Sequence, residues 1–123
     1  MAKRILLIDD EEDFCFFVKK NLEATGNFTV EVCNDSADIF QKVKQMQPNL
    51  ILLDIMMPKK GGQDIAAELK NNKDTQKIPF AFLTAMVRRE ETQENENIIG
   101  GEYFISKPVK VNELVDMINR LAL

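Results

Sequence analysis

Residues 5–14 read ILLIDDEEDF, four aliphatic side chains running straight into five acids. A continuous aliphatic run fits a strand covered on both faces, as the central strands of a parallel sheet are. Its ending is harder to place, because crowded carboxylates repel one another and cost most where water is scarce. LILLDIMMP, residues 50–58, repeats the pattern with one acid, Asp54, after the apolar run. Val30/Val32, Phe80–Leu83 and Tyr103–Ile105 supply three further short strands.

Helical periods fill the spaces between these strands. Phe14, Phe17, Val18 and Leu22 share one face, and Gly26-Asn27 stops that segment. Ser36 is placed to cap a second helix that turns Phe40 and Val43 inward. Ile65, Ala66 and Leu69 mark a third, and Val111, Leu114, Val115, Ile118 and Leu121 mark the last. Five strands alternating with five helical segments predict a doubly wound five-stranded parallel α/β sheet with helices on both faces. One helical slot departs from the pattern. RREETQENEN, residues 88–97, offers no large apolar residue, so it is expected as a solvated helix held by Met86, Val87, Ile98 and Ile99, or as a loop.

Composition narrows the function. A chain of 123 residues suits one domain with a proper core. No apolar run approaches the ~20 residues of a membrane span, and no secretory signal is visible, so a cytoplasmic location is expected. The absence of histidine excludes imidazole-based zinc sites and His acid–base catalysis within the chain. A formal charge of −4 argues against a nucleic-acid-binding domain. Cys15 and Cys33 have no metal- or redox-type spacing and read as reduced core residues.

In open α/β sheets ligands bind outside the carboxyl ends of the strands. Asp9 and Asp10 follow the first strand, Asp54 the third, Thr84 the fourth and Lys107 the fifth. Each alone reads as a turn or surface residue. Together they bring three carboxylates, a hydroxyl and an amine to one edge. Carboxylates without histidine or thiolate are hard ligands suited to Mg²⁺, usually completed by waters and a phosphate. Lys107 offers a positive charge for phosphoryl oxygens and Thr84 a hydrogen bond, the positioning and neutralisation that phosphoryl transfer needs.

In these residues the chain resembles the receiver domain of bacterial two-component response regulators, from about Lys3 to Leu121. The resemblance rests on LLIDDEE, LLDIMMPKKGG, IPFAFLTA and EYFISKPV, in the family's order and near its spacing. It implies a flavodoxin-like fold and one domain over 3–121. It implies that Asp54 accepts a phosphoryl group from a phosphohistidine on a sensor histidine kinase or a histidine phosphotransfer protein. Asp10 corresponds to the direct Mg²⁺ ligand, Asp9 to a neighbour acting through a metal-bound water, and the backbone carbonyl of Met56 to a further ligand beside Asp54. Thr84 corresponds to the hydroxyl that turns toward the phosphoryl group, Lys107 to the lysine that pairs with it, and Phe104, ahead of Tyr103, to an aromatic switch. The Lys107–Pro108 bond resembles one usually cis in the family.

The KKGG loop departs from many relatives, which carry an acid just before the second glycine. Gly62 still suits the turn into the third helix. Met56 and Met86 correspond to positions that in the family influence water attack on the acyl phosphate, and two thioethers there predict slow self-dephosphorylation. Three other readings stand beside the signalling switch. A Mg²⁺-dependent phosphotransferase or phosphohydrolase lacks an aspartate two residues after the acceptor, where Met56 sits. A nucleotide or flavin binder lacks a Gly-, Ser- or Thr-rich loop after the first strand. A pseudo-receiver that only binds protein partners is the third. The sequence names no kinase or downstream protein target; it favours a stand-alone regulator and leaves open a phosphorylation-dependent homodimer through the last helical face.

Overall fold

The aliphatic runs become neighbouring strands. In a computed structural model that describes residues 2–57, 61–85, 98–99 and 102–122, the strands are β1 (Lys3–Ile8), β2 (Phe28–Cys33), β3 (Leu50–Asp54), β4 (Phe80–Thr84), β5 (Ile98–Ile99) and β6 (Glu102–Ser106). The helices are α1 (Glu12–Ala24), α2 (Ile39–Met46), α3 (Gly62–Asn71) and α4 (Val111–Leu121). The sheet runs β2-β1-β3-β4-β6-β5, with every pairing from β2 through β6 parallel. The predicted doubly wound parallel sheet is therefore present. An edge the sequence reading missed is added: β5 pairs antiparallel with β6 over two residues, too short a run to show a period. The fourth helical slot, with Met86 and the 88–97 stretch, lies outside the described residues, as do Pro58, Lys59 and Lys60.

Side chains alternate across the sheet with a period of two. Ile5, Leu7, Leu50, Leu52, Leu83 and Ile105 pack on one face against α1 and α4, through Val18, Leu22, Leu114 and Ile118. Leu6, Ile8, Ile51, Leu53 and Phe82 pack on the other against α2 and α3, through Ile39, Val43, Ile65 and Leu69. β1 and β3 are buried along their apolar runs because neighbours flank them on both sides. β2, at the edge, alternates instead, with Thr29 and Glu31 exposed.

The helix ends follow local chemistry. Gly26, at φ 80, lets the chain turn after α1 at no steric cost. Ahead of α2 the chain carries an aspartate cap; the side chain of Ser36, the expected cap, lies outside what the structure describes. A 3₁₀ turn spans Ser36–Asp38, and the Asp35 carboxylate caps it by accepting the Ala37 N–H at 3.0 Å. A carboxylate and a hydroxyl are near-equal caps, so composition alone could not separate adjacent candidates. α4 matches its predicted stripe, with Met117 added to the buried face. No helix among the described residues is long and apolar enough to cross a membrane.

Candidate functional site

Strand register assembles the site. Ile8 is level with Leu53, so Asp9 and Asp54 stand side by side at the ends of adjacent strands. Both continue the parity of residues that face α1 and α4. Asp54 is level with Leu83 and Thr84 with Ser106, which brings Thr84 and Lys107 to the same edge. The Lys107 N–H is fixed to the Thr84 carbonyl at 2.9 Å, and the Lys107–Pro108 peptide is cis, as the resemblance implied.

Asp9 is fully buried, and Asp54 and Thr84 nearly so. The Lys107 ammonium lies between the acids. It donates to Asp9 Oδ2 and to Glu11 Oε1, each at 2.8 Å, and stands 3.7 Å from Asp54 Oδ1. Its Nζ also sits 4.4 Å from the centre of the Phe14 ring, a cation–π contact. Burial works against the lysine's charge, but its bonds to Asp9 and Glu11 outweigh that, and its pKa is raised above the ordinary value. Asp54 behaves differently. Burial first, then the Asp9 charge, push its carboxyl from 3.8 up to about 6, against the opposing pull of Lys107 and the Met56 N–H at 3.3 Å. It remains mostly ionised at neutral pH, as a nucleophile must be.

Oxygens of Asp9, Glu11 and Asp54 lie within 4.8 Å of one another, a spacing that suits a shared cation. Among the described residues one ammonium faces these three carboxylates, with Asp10 close enough to push the Asp54 pKa further upward, so negative charge is in excess there. That excess and the all-oxygen donor set fit Mg²⁺. Asp10 itself is half-buried and its carboxylate stands outside the three-acid cluster. The Met56 side chain is largely exposed.

Two residues enter the site that the sequence reading did not place there, Glu11 and Phe14. Glu11 is also the N-cap residue of α1. The Asp9 carboxylate accepts the Glu11 N–H at 2.9 Å, and this Asx turn aims the glutamate back over the strand end. An aspartate two residues before a glutamate at a strand–helix junction was the available signal. Cys15 lies beneath, its thiol 3.5 Å from the Asp9 carbonyl. Burial, then the Asp9 charge, push that thiol up to about 12, so it is no nucleophile at neutral pH.

Farther along the sheet, the Phe104 and Phe82 rings are 5.2 Å apart between centres, on the face covered by α2 and α3. Tyr103 packs toward the opposite layer. Phe104 thus shares a face with Phe82, two residues before Thr84.

A parallel α/β sheet that gathers buried acids, a threonine and a lysine at its carboxyl edge is the arrangement of the doubly wound receiver fold, and the sequence match is specific within it. The chain belongs to the response regulator receiver domain family, which it matches over residues 5–119. It is 30% identical over 115 residues to the alkaline phosphatase synthesis transcriptional regulatory protein PhoP of Bacillus subtilis, covering 93% of this chain and 46% of that protein. It is 31% identical to the DNA-binding dual master transcriptional regulator RpaA of Synechocystis over 96% of this chain and 48% of that one. The chain therefore spans about half the length of the curated relatives it matches. Among solved structures, the chemotaxis protein CheY4 of Vibrio cholerae shares the fold with a TM-score of 0.81 at 21% identity, over 98% of this chain and 99% of that one. A response regulator from Desulfuromonas acetoxidans aligns with a TM-score of 0.78 at 28% identity, over 96% and 94%.

Proposed function

We propose that this receiver accepts a phosphoryl group on Asp54 from a phosphohistidine of a sensor histidine kinase or phosphotransfer protein, and that the modification switches its affinity for a downstream protein. The carrying observation is the pairing of a buried, mostly ionised Asp54 with the Lys107 ammonium 3.7 Å away at the same strand edge. In the step, an Asp54 carboxylate oxygen forms the new O–P bond as the donor's P–N bond breaks. The departing imidazole keeps the bonding pair and takes its proton from water. Lys107 and the Thr84 hydroxyl stabilise the charge that spreads over the phosphoryl oxygens.

Asp9, Asp10, Asp54 and the Met56 carbonyl would hold Mg²⁺, which when bound neutralises the converging acids and the incoming phosphoryl group. The chain's own catalysis is confined to its phosphorylation and dephosphorylation, so it acts as a signalling module rather than a turnover enzyme. Its output is a population shift in which Thr84 and Phe104 move together. A cytoplasmic location goes with a kinase-fed switch of this kind. Acetyl phosphate with Mg²⁺, followed by intact mass, tests the proposal. One phosphoryl group should be gained by the wild type and none by Asp54→Asn. Release of inorganic phosphate over many turnovers would favour a phosphohydrolase, and no gain at all a pseudo-receiver.

A further inference from the structure

The Lys107 ammonium has three donor directions, and the site already occupies its surroundings. Two hydrogen bonds of 2.8 Å go to Asp9 and Glu11, and the Phe14 ring lies 4.4 Å away. Asp54 Oδ1, at 3.7 Å, is beyond hydrogen-bond reach. A phosphoryl oxygen on Asp54 can gain a direct bond from Nζ most readily if one of the two carboxylates gives its bond up. The two are not equal. Asp9 is fully buried, so releasing it strands a charge away from water. The Glu11 side chain is 62% exposed, so water solvates it once it is released.

Resting on the proposed phosphorylation of Asp54, we infer that Glu11 is a positioning residue: it tethers the Lys107 ammonium in the unphosphorylated chain and gives it up as the lysine moves to the phosphoryl group. Asp9 is then the pivot on which the lysine turns, and Glu11 the catch. Glu11 makes no side-chain cap to α1, so its removal takes no helix-capping bond with it. The catch raises the threshold for phosphorylation, since drawing the lysine toward Asp54 works against an ion pair.

Phosphorylation by acetyl phosphate at saturating Mg²⁺, followed by intact mass, reads this directly. Glu11→Ala should speed modification of Asp54 by about two- to fivefold, the range a solvent-exposed ion pair can supply. Glu11→Asp keeps the charge but withdraws it by one methylene, and should behave like the alanine variant. In a Lys107→Met background, slower at the outset, adding Glu11→Ala should change nothing further. A Glu11→Ala rate at or below wild type overturns the inference. So does an effect that persists without Lys107, or a Glu11→Asp variant that keeps the wild-type rate, since either makes Glu11 a general field on the donor or a metal ligand. The aspartate arm stands even if Lys107→Met does not fold. A wild-type chain that gains no phosphoryl group overturns the proposed function together with this inference; a normally modified wild type with unresponsive Glu11 variants overturns the inference alone.

Discussion

Asp9 and Asp54 are the same residue type, on adjacent strands, level with each other and almost equally buried, yet their surroundings treat them in opposite ways. Asp9 is saturated. One carboxylate oxygen takes the Lys107 ammonium, the other takes the Glu11 N–H, and its backbone carbonyl takes the Asn34 amide at 2.7 Å. Among the described residues, Asp54 receives one 3.3 Å bond from the Met56 N–H and views Lys107 from beyond bonding distance. A buried acid with full partners is a structural anchor, whereas one left short of partners is held ready for a bond not yet made. The difference separates a charge that organises the site from the one proposed to react.

The strongest way to break this comparison is to exchange the carboxylates singly. Asp54→Asn should abolish phosphorylation and also stabilise the metal-free fold, raising Tm on the order of 5 °C, because it removes a poorly compensated buried charge. If Asp54→Asn instead lowered Tm, the view of Asp54 as under-partnered would fail. Lys107→Met strikes the other member. It leaves Asp9 buried without its cation and should cost about 3–5 kcal/mol by denaturant unfolding, with Asp9→Asn restoring part of the loss. A loss below 1 kcal/mol would mean that Asp9 does not depend on the lysine.

Acidity sharpens the same contrast. The Asp54 pKa is raised from 3.8 to about 6 by folding, so the folded chain binds this proton more tightly than the unfolded one. Its contribution to stability is therefore most favourable below pH 4, declines as pH rises from about 4 to about 6, and is constant above that. The difference between the two pKa values corresponds to on the order of 3 kcal/mol. With EDTA present, the stability gap between Asp54→Asn and wild type should widen through that window. A gap that stays constant from pH 4 to 7 would show that folding leaves the acidity of Asp54 unchanged.

How far the sequence could foresee this differs between the two acids as well. The aliphatic runs Ile5–Ile8 and Leu50–Leu53 announce central parallel strands, and a strand-end rule then brings Asp9, Asp54, Thr84 and Lys107 together without coordinates. Those placements depend on period and register, which local residues encode strongly. What Glu11 and Phe14 do was not legible. Their roles arise from the angle at which α1 leaves β1, set by one Asx turn, and from where a long lysine side chain comes to rest 96 residues away from Glu11. The split of two helix-start residues toward the site is a matter of a few ångströms. β5 escaped notice for a simpler reason: two residues cannot display a period.

The mildest test moves the backbone beneath one acid and spares the other. Gly62 opens α3, and its N–H donates to the Ile55 carbonyl at 2.9 Å, drawing the helix start onto the end of β3. A Cβ there would come within 2.3 Å of the Asp54 carbonyl oxygen and 2.8 Å of the Ile55 Cα, both backbone atoms that a rotamer change cannot clear. Gly62→Ala must therefore push β3 and α3 apart, at a cost of roughly 1–3 kcal/mol. The displacement acts on Asp54 through its own main chain, whereas Asp9 is braced by β2, through the Cys33 carbonyl, and by Lys107. Phosphorylation by acetyl phosphate should slow more than the loss of stability alone explains, while NMR signals of Asp9, Glu11 and Lys107 stay near their wild-type positions. Equal shifts at both strand ends would mean that the two aspartates move as one rigid unit, and their opposite roles would then rest on partners alone rather than on separate backbone supports.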